Sequence, residues 1–549
     1  MEIESVQLPF GQPITEAYVR RTRPEVESLF GSHPAEDTDW KRRAQWLKDQ
    51  SANRVSAEQL ATTLTRYNQR FNDSDEVKLA IEAIGNGAPV VVGGQQAGLW
   101  TGPLLVIHKA ISVIAAARHA AELTGQIVIP LFWIAGEDHD WDEANHTLIV
   151  NQENQLVKIA IERPKGNRTS VSRTKLQQEA MLEAVKKLGE TLPDSEYKRD
   201  LIASLTSFAK LSDNLSEWFA YTMGWLFGKQ GLVLMDSDDP ALRKLEGPLF
   251  KRMIERNDEL EEAYQCGADH IRELGFVPQA DVVTGSANVF LFQDDQGSAV
   301  GERTLLYKRD GRFENRKGTV AWEKEELLRI ANESPERLSN NVLTRPLMQD
   351  YVLPVLAAVL GPGEIAYWAL TGAAFRSFDM QMPIIVPRMS FTLVEAAVTK
   401  HMMKYELTFE NVVNRFAEYK EAWLNGQDRY NIEARFDEVK QQFAELYQPI
   451  MDLVATVEGG LSALSETNKQ KIMDQIAFLQ TRTKEAHARQ FDASLRQLDR
   501  IAVSIWPDGK PQERVVNVTV FWNRFGRSWL DRLLEVPFDC LGSHRIIYL

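Results

Sequence analysis

Apolar residues along the chain fall into three distinct patterns. From Thr38 to Ile84 they recur on a helical period among Ala, Leu, Lys and Glu, so residues 1–85 read as largely helical. From Pro89 onward, short β-branched runs alternate with helices. Pro89 to Val92 predicts a strand ended by Gly93 and Gly94. Leu104 to Leu123 predicts a helix closed by Gly125, and Ile127 to Ile134 predicts the next strand. A strand, a helix and a strand so close together make a βαβ unit and hence a parallel sheet. The pattern returns at Leu232 to Met235, with Pro240 placed to open a helix. It returns again at Ile384 to Val386, where Ser390 is expected as the N-cap of the next helix. The expected fold is α/β, a doubly wound parallel sheet whose ligands bind beyond the carboxyl ends of the strands.

Two stretches interrupt this rhythm and are expected as insertions. Residues 150–230 are polar and mostly helical in pattern. Within 280–340, "ANVFLFQDDQGSAVGERTLLYKRDGRF" alternates strand-like runs with the turn signals "DDQG" and "RDG", a hairpin pattern. After about residue 400 the strands cease. Ile432, Phe436, Val439, Phe443, Leu446, Ile450, Leu453 and Val457 step by alternating fours and threes, a heptad seam that Ile472, Ile476, Leu479, Thr483 and Ala486 resume. Two helices joined between Gly460 and Lys469 are expected to form an antiparallel coiled-coil hairpin, with Pro449 kinking the first. One amphipathic face packed on the core is the alternative, but strict heptad spacing is narrower than such a face. Residues 510–549 offer a strand-like "RVVNVTVFW" and a helix from Ser528 to Leu534. The expected organisation is a core over 1–400, a helical region over 401–509 and a segment, 510–549, that returns to the core.

Composition narrows the classes. At 549 residues the chain exceeds one ordinary core. Its 44% hydrophobic and 26% charged residues are those of a soluble globular protein. No apolar run approaches the ~20 residues of a membrane span. A net charge of −14 argues against a nucleic-acid partner but leaves room for a local basic pocket around a small anion. Cys266 and Cys540 form neither a metal motif nor a disulfide framework. The start, "MEIESVQLPF", lacks a basic and apolar leader. The expectation is a cytoplasmic protein without membrane or nucleic-acid partners.

Three clusters could carry chemistry. In "GGQQAGLWTGP", Gly93, Gly94, Gly98 and Gly102 would let backbone N–H groups approach an anion. Gln95, Gln96 and Thr101 add neutral hydrogen-bonding groups, and His108 and Lys109 follow on the helix. The plainer reading is a tight turn followed by a solvent-facing His-Lys pair. In "SNNVLTRPLMQDYVLPVLAAVLGPGEIAYWAL", Asn341 and Arg345 could grip a carboxylate or phosphate, while Glu364, Tyr367 and Trp368 could line a small polar pocket or simply pack. In "FWIAGEDHDWDEANH", acids and histidines crowd the end of a strand. Solvated loop, metal site and general acid–base site all compete there. His139 and His146 are seven residues apart, about 10 Å on a helix, too far for one metal, so no metal is expected. Asp138, His139 and Asp140 lie nearest the core as candidate catalysts, whereas Asp142 and Glu143 read as solvated acids at a helix start.

"GQQAGLWTGPLLVIHK", "PLFWIAGEDHDWDE", "SNNVLTRPLMQDY" with "GPGEIAYW", and "MPIIVPRMSFTL" together resemble the BshC family, the cysteine-adding ligases of bacillithiol biosynthesis. The resemblance runs from "LPF" near the start to "QERVVN" near the end. It implies a Rossmann-type core with inserted segments and a C-terminal coiled coil that forms a homodimer. It also implies a reaction that joins cysteine to glucosaminyl-malate through an amide bond. Carboxylates need activation for this, most simply by ATP, so ATP or ADP is the candidate nucleotide, and no zinc is expected. The core is similar to class I aminoacyl-tRNA synthetases and nucleotidyltransferases. Of their His-x-Gly-His signature only His108 is matched, and Arg388, Met389 and Ser390 stand where their mobile lysine loop would be. The implied roles follow. Gly93 to Thr101, His108 and Lys109 bind phosphate or carboxylate. Asp138, His139 and Asp140 receive the amino sugar and take its proton. Arg345 or Arg388 grips the malyl carboxylates, and Glu364, Tyr367 and Trp368 line the cysteine or sugar pocket. Asn517, Trp522, Asn523 and Arg524 are candidates for a second nucleotide pocket. The rival readings are a related ligase with another substrate and a nucleotide-binding scaffold of the pathway.

Overall fold

The structure is a computed structural model that describes residues 2–166, 168–293 and 301–549. It divides into two compact units, Met1–Leu393 with Lys510–Leu549, and Val394–Gly509. The first is built on five parallel strands: β1 (Val90–Gln95), β2 (Ile129–Ile134), β3 (Val233–Asp236), β4 (Val355–Leu360) and β5 (Ile384–Pro387). Their spatial order is β5-β4-β1-β2-β3. The chain therefore fills one side of β1 first and then crosses to the other. This is the Rossmann order, and it opens a crevice between the carboxyl ends of β1 and β4. Helix α1 (Leu105–Thr124) joins β1 to β2 and ends at Gly125 in the left-handed region, as its sequence predicts.

Gly93 and Gly94 lie within β1 and not in the turn after it. A methyl on Gly93 would sit 2.6 Å from Val113 Cγ2 of α1, and one on Gly94 2.5 Å from the Trp133 carbonyl oxygen of β2. These glycines let helix and neighbouring strand close on β1, and they stand before the turn expected to hold an anion. The turn itself runs over Gln96–Gly102. Trp100 and Thr101 adopt φ of 49° and 74° there, and both are buried. Gly98 and Gly102 let the turn fold tightly on itself, a methyl on Gly98 falling 3.1 Å from Gly102 Cα.

The insertions are more β-rich than their composition predicts. His146–Val150 and Leu156–Ala160 pair as a hairpin before the helices of 178–227 begin. Ser286–Phe292, Arg303–Arg309, Arg312–Glu314, Ala321–Trp322 and Leu338–Asn340 form an antiparallel sheet. Its "RDG" signal is a tight turn with Asp310 and Gly311 both at positive φ. The "DDQG" signal lies outside the described residues. Two further expectations change. Ser390 is not an N-cap but opens the strand Ser390–Val394, which pairs with the C-terminal strand His544–Tyr548, itself paired with Glu2–Val6. "RVVNVTVFW" is not a strand: Asn517 caps the helix Val518–Phe525, because its side chain accepts the Thr519 N–H. Alternating valines fit either state, and the capping Asn decides.

In the second unit Ile432–Val457 and Ser462–Arg489 run antiparallel, tied by Lys484 to Glu433 (3.2 Å), Lys440 to Gln480 (2.6 Å) and Tyr447 to Asn468 (2.6 Å). The turn between them, Glu458–Leu461, is shorter than predicted, and the first helix runs on through Pro449. Part of the heptad seam stays open: Leu446 is 75% exposed, Leu453 63% and Val457 74%. Among the described residues no helix is long and apolar enough to cross a membrane.

Gly93→Ala and Gly94→Ala should each destabilise the first unit by about 1–3 kcal/mol through overpacking. Urea midpoints measure this; unchanged midpoints would mean that β1 tolerates a wider spacing from α1 and β2.

Candidate functional site

Lys109 lies in the second turn of α1, 1% exposed, and its ammonium reaches back to the end of β1. Nζ donates to the Gly94 carbonyl (2.7 Å), to Gln95 Oε1 (2.9 Å) and to Glu364 Oε2 (2.5 Å). Glu364 follows β4 and also accepts the Gly361 N–H at 2.8 Å, so it caps its own helix. Its other oxygen lies 3.6 Å from Arg345, whose guanidinium also meets the Tyr367 hydroxyl. Burial alone would raise the Glu364 carboxyl, but Lys109 and Arg345 take it below the usual carboxylate range. Burial likewise lowers the Lys109 ammonium, against the pull of Glu364. The structure thus gathers Gln95, Lys109, Arg345, Glu364 and Tyr367 at the switch-point crevice.

Next to this stands Glu513, from the returning C-terminal segment. Arg388 grips it with two bonds of 2.7 Å, and His108 Nδ1 lies 2.6 Å from the same carboxylate. A carboxylate accepts, so Nδ1 carries the proton. His108 is fully buried and its Nδ1 faces Glu513, so the solvent-facing reading is excluded. Burial would raise the Glu513 carboxyl, but the Arg388 charge dominates and holds it well below its ordinary value. Ser390 Oγ bonds His544 Nδ1 at 2.7 Å and Thr392 Oγ1 bonds Nε2 at 2.8 Å; burial pushes the His544 imidazole down to about 4.

The acidic turn divides in two. Asp138 accepts from Gln96 and from the His139 (2.6 Å) and Asp140 (3.1 Å) backbone N–H groups. Burial opposes its charge, but these bonds and Arg303 nearby lower its carboxyl. Asp140 is exposed and caps the short helix Trp141–Ala144. Glu137, absent from the sequence-based candidates, is buried on Arg243, which also holds Glu246 at 2.5 Å. Asp238 at the end of β3 is held by Arg173 at 2.8 and 2.9 Å. Burial raises the Asp236 carboxyl to about 7, while Ser216 and the Asp238 N–H bond it. Glu143 lines a cavity of about 260 Å³ with Gln95, Gln96, Gly98, Thr101, His146 and Arg514. Its carboxyl is raised by partial desolvation and by Asp138 and Asp140, and it stands as an exposed acid in the first turn of the helix Trp141–Ala144, where the sequence reading sets it. Arg514 also lines a second cavity, about 190 Å³, bounded by Pro362, Arg388, Glu513 and His544.

Other predicted residues serve the fold. Asn341 Oδ1 accepts the Leu343 and Thr344 N–H groups at 2.9 Å, and Trp368 is buried beside Phe375. Asn517 Nδ2 holds the Trp100 and Gly102 carbonyls (3.0 and 2.6 Å), Asn523 bonds Ser195 and Pro193 (both 3.0 Å), and Trp522 lies against Trp225. Arg524 is largely buried, which lowers its guanidinium. Asn517 thus clamps the turn after β1, and Asn523 and Trp522 tie the C-terminal segment to the first unit.

Glu513 has a folded pKa below its unfolded value near 4.5. Its contribution is therefore complete above that value and lost as the pH falls toward the folded pKa. Glu513→Gln should cost about 3–5 kcal/mol at neutral pH by leaving Arg388 unpaired. It should also flatten the acid limb of the stability curve; an unchanged limb in denaturant titrations would assign that limb to other carboxylates.

Comparison with known proteins places this geometry. The N-terminal Rossmann-like domain of bacillithiol biosynthesis BshC matches residues 1–389, and the C-terminal coiled-coil domain of BshC matches residues 391–549. Proteins named "Putative cysteine ligase BshC" from Bacillus cereus strain ATCC 14579, Bacillus thuringiensis subsp. konkukian strain 97-27 and Bacillus anthracis are each 34% identical over 552 residues, covering 100% of both chains. Matched along its whole length by both domains and by these relatives, the chain belongs to the BshC family of bacillithiol biosynthesis.

Proposed function

We propose that this chain is the ligase that joins the carboxyl of L-cysteine to the amine of glucosaminyl-malate, with ATP activating the carboxyl. The observation that supports this best is the charge of the crevice. In a chain of net charge −14, Lys109, Arg345 and Arg388 converge on two carboxylates, Glu364 and Glu513, and the exposed Arg514 lines the cavity beside Glu513. The surplus cations suit a substrate with carboxylates or phosphates. On the other side of the turn, ionised Asp138 attracts an amine as its ammonium. Glu143, with its carboxyl raised, is the better proton acceptor when that amine becomes a nucleophile. ATP would supply the leaving group on the carboxyl. His108 and Ser390 are bound to Glu513 and His544. The partly exposed Arg345, and not those signature positions, would therefore meet its phosphates, and the exposed Arg514 the carboxylates of the malyl group.

Purified protein given cysteine, glucosaminyl-malate and ATP should form the amide-linked thiol, read by mass spectrometry. Arg514→Ala should raise the apparent KM for glucosaminyl-malate about five- to 150-fold, the equivalent of roughly 1–3 kcal/mol, with a smaller effect on kcat. Thiol formation at the same rate without ATP would overturn the activation step, and an Arg514→Ala enzyme with unchanged KM would remove that residue from the substrate site.

The open seam of the helical hairpin supports a homodimer through the second unit, because Leu446, Leu453 and Val457 recur at heptad spacing and stay exposed in one chain. Leu446→Glu with Leu453→Glu should convert the dimer to monomer in sedimentation velocity; a wild-type monomer would overturn this assignment.

A further inference from the structure

We propose that Arg303 is a positioning residue that holds His139 in the tautomer with its proton on Nε2, so that His139 meets the substrate as a hydrogen-bond donor and not as a base. Arg303 opens the strand Arg303–Arg309 of the inserted antiparallel sheet. Three of its faces are engaged by that sheet. Nε donates to Ser339 Oγ at 2.9 Å, Nη2 donates to the Asn340 carbonyl at 2.7 Å, and the Phe290 ring centroid lies 3.9 Å from the guanidinium carbon. The remaining nitrogen, Nη1, stands 3.1 Å from His139 Nδ1.

A guanidinium has N–H donors and no acceptor. The nitrogen it faces must supply a lone pair, so Nδ1 of His139 is bare. A neutral imidazole then carries its one proton on Nε2. The surroundings keep the ring neutral. Burial is the first cause, the Arg303 charge the second and Arg168 a further one; Asp138 and Asp140 pull the other way. Asp138 Oδ1 is 3.7 Å from Nδ1, too far to take a proton from it in a hydrogen bond. The side chain remains 35% exposed on the rim of the acidic turn, so the ring is open to a ligand.

A base must offer a lone pair, and the lone pair of this ring is already occupied. What His139 can offer is Nε2–H. In amide formation the acyl oxygen gains negative charge as the amine adds, and a fixed donor there stabilises the transition state. The tautomer follows from the geometry alone, whereas the donor role rests on the ligase reading above. The insertion thereby serves the site, because its sheet delivers a cation that sets the protonation of a residue on the rim of the core.

The test has two arms. Full-length protein labelled with 15N-histidine, with His139 assigned from the signal lost in His139→Gln, should show a protonated Nε2 and a bare Nδ1 at neutral pH. Arg303→Met should mix the tautomers, and Arg303→Lys, which keeps a donor, should restore the wild-type pattern. In turnover assays His139→Gln retains an N–H near the Nε2 position but cannot act as a base. It should stay within about tenfold of wild type, whereas His139→Ala should lose about 10²–10³-fold in kcat. A protonated Nδ1 in the wild-type protein, or equal losses in the glutamine and alanine variants, would overturn the proposal. If Arg303→Met fails to fold by circular dichroism, the wild-type spectrum and the two His139 variants still decide. If wild-type protein forms no amide product, the ligase reading and the donor role fall together, while the nitrogen spectrum separately decides the tautomer.

Discussion

An ammonium taken out of water must be surrounded by oxygens, and the crevice is organised by the three that surround Lys109. One is a main-chain carbonyl at the end of β1, one the amide of Gln95 and one the carboxylate of Glu364 beyond β4. These partners come from both sides of the switch point, so the ion pair sets how far apart the two strand ends stand. Removing one partner of such a buried pair leaves a charge without compensation, which costs about 3–5 kcal/mol. Glu364 adds a constraint by capping its own helix, and Arg345 follows because a second cation can share that carboxylate. Gly93 and Gly94 are the backbone side of the same arrangement. Without side chains, they let α1 lie close enough for a lysine stem to reach back to the strand end.

The same solution recurs at the ends of β2 and β3. Glu137, Arg243, Glu246, Asp238 and Arg173 are charged groups that exclude water from one another and are each met by an opposite charge. Arg173 also reaches the Glu336 carbonyl, and the Asn340 N–H reaches Glu137 at 3.4 Å. Both contacts come from the region of the inserted sheet. That insertion is therefore bonded into the ligand-facing end of the core and forms one wall of the rim, with Arg303 its contribution nearest the acidic turn.

The parallel sheet was legible in the sequence because buried parallel strands must be short β-branched runs, and runs such as "VVV" or "IIV" followed by glycine or proline admit few other states. The hairpin of long helices was legible for a similar reason, since a heptad repeat has a single geometric meaning. What misled were residues whose role depends on distant partners. Gly93 and Gly94 resemble a phosphate loop until Val113 and the Trp133 carbonyl are seen beside them. Ser390 resembles an N-cap until the C-terminal strand pairs with it. Of the site, Lys109, Arg345, Glu364 and Arg388 could be found because cations and acids near strand ends and glycine turns are costly to bury without purpose. Glu513, Arg243 and Arg303 could not. Their sequence neighbourhoods are ordinary, and only long-range folding brings each to its distant partner, from a separation of 405 positions between His108 and Glu513 to 106 between Glu137 and Arg243.

The placement of charge around the turn after β1 carries a consequence for the order of events. On one side cations outnumber carboxylates; on the other Asp138 is stabilised as an anion, and the Glu143 carboxyl is raised by partial desolvation and by the two acids beside it. An amino sugar bearing a dicarboxylic acid presents a cation at one end and anions at the other. It can satisfy both sides in only one orientation, because reversing it would set carboxylates against Asp138 and an ammonium against Arg514. Like charges so placed in a partly desolvated cleft repel more strongly than in water. Orientation would thus be fixed by electrostatics before any group reacts, and neutralising Asp138 by the arriving ammonium would remove one of the charges that raise Glu143. Glu143 would then be a weaker base while the amine sits there as a cation, and a stronger one once that amine has lost its charge. The proton taken from the ammonium would have to pass from Glu143 to solvent before the amine adds, which would leave the same carboxylate free to take the second proton that amide formation releases from nitrogen.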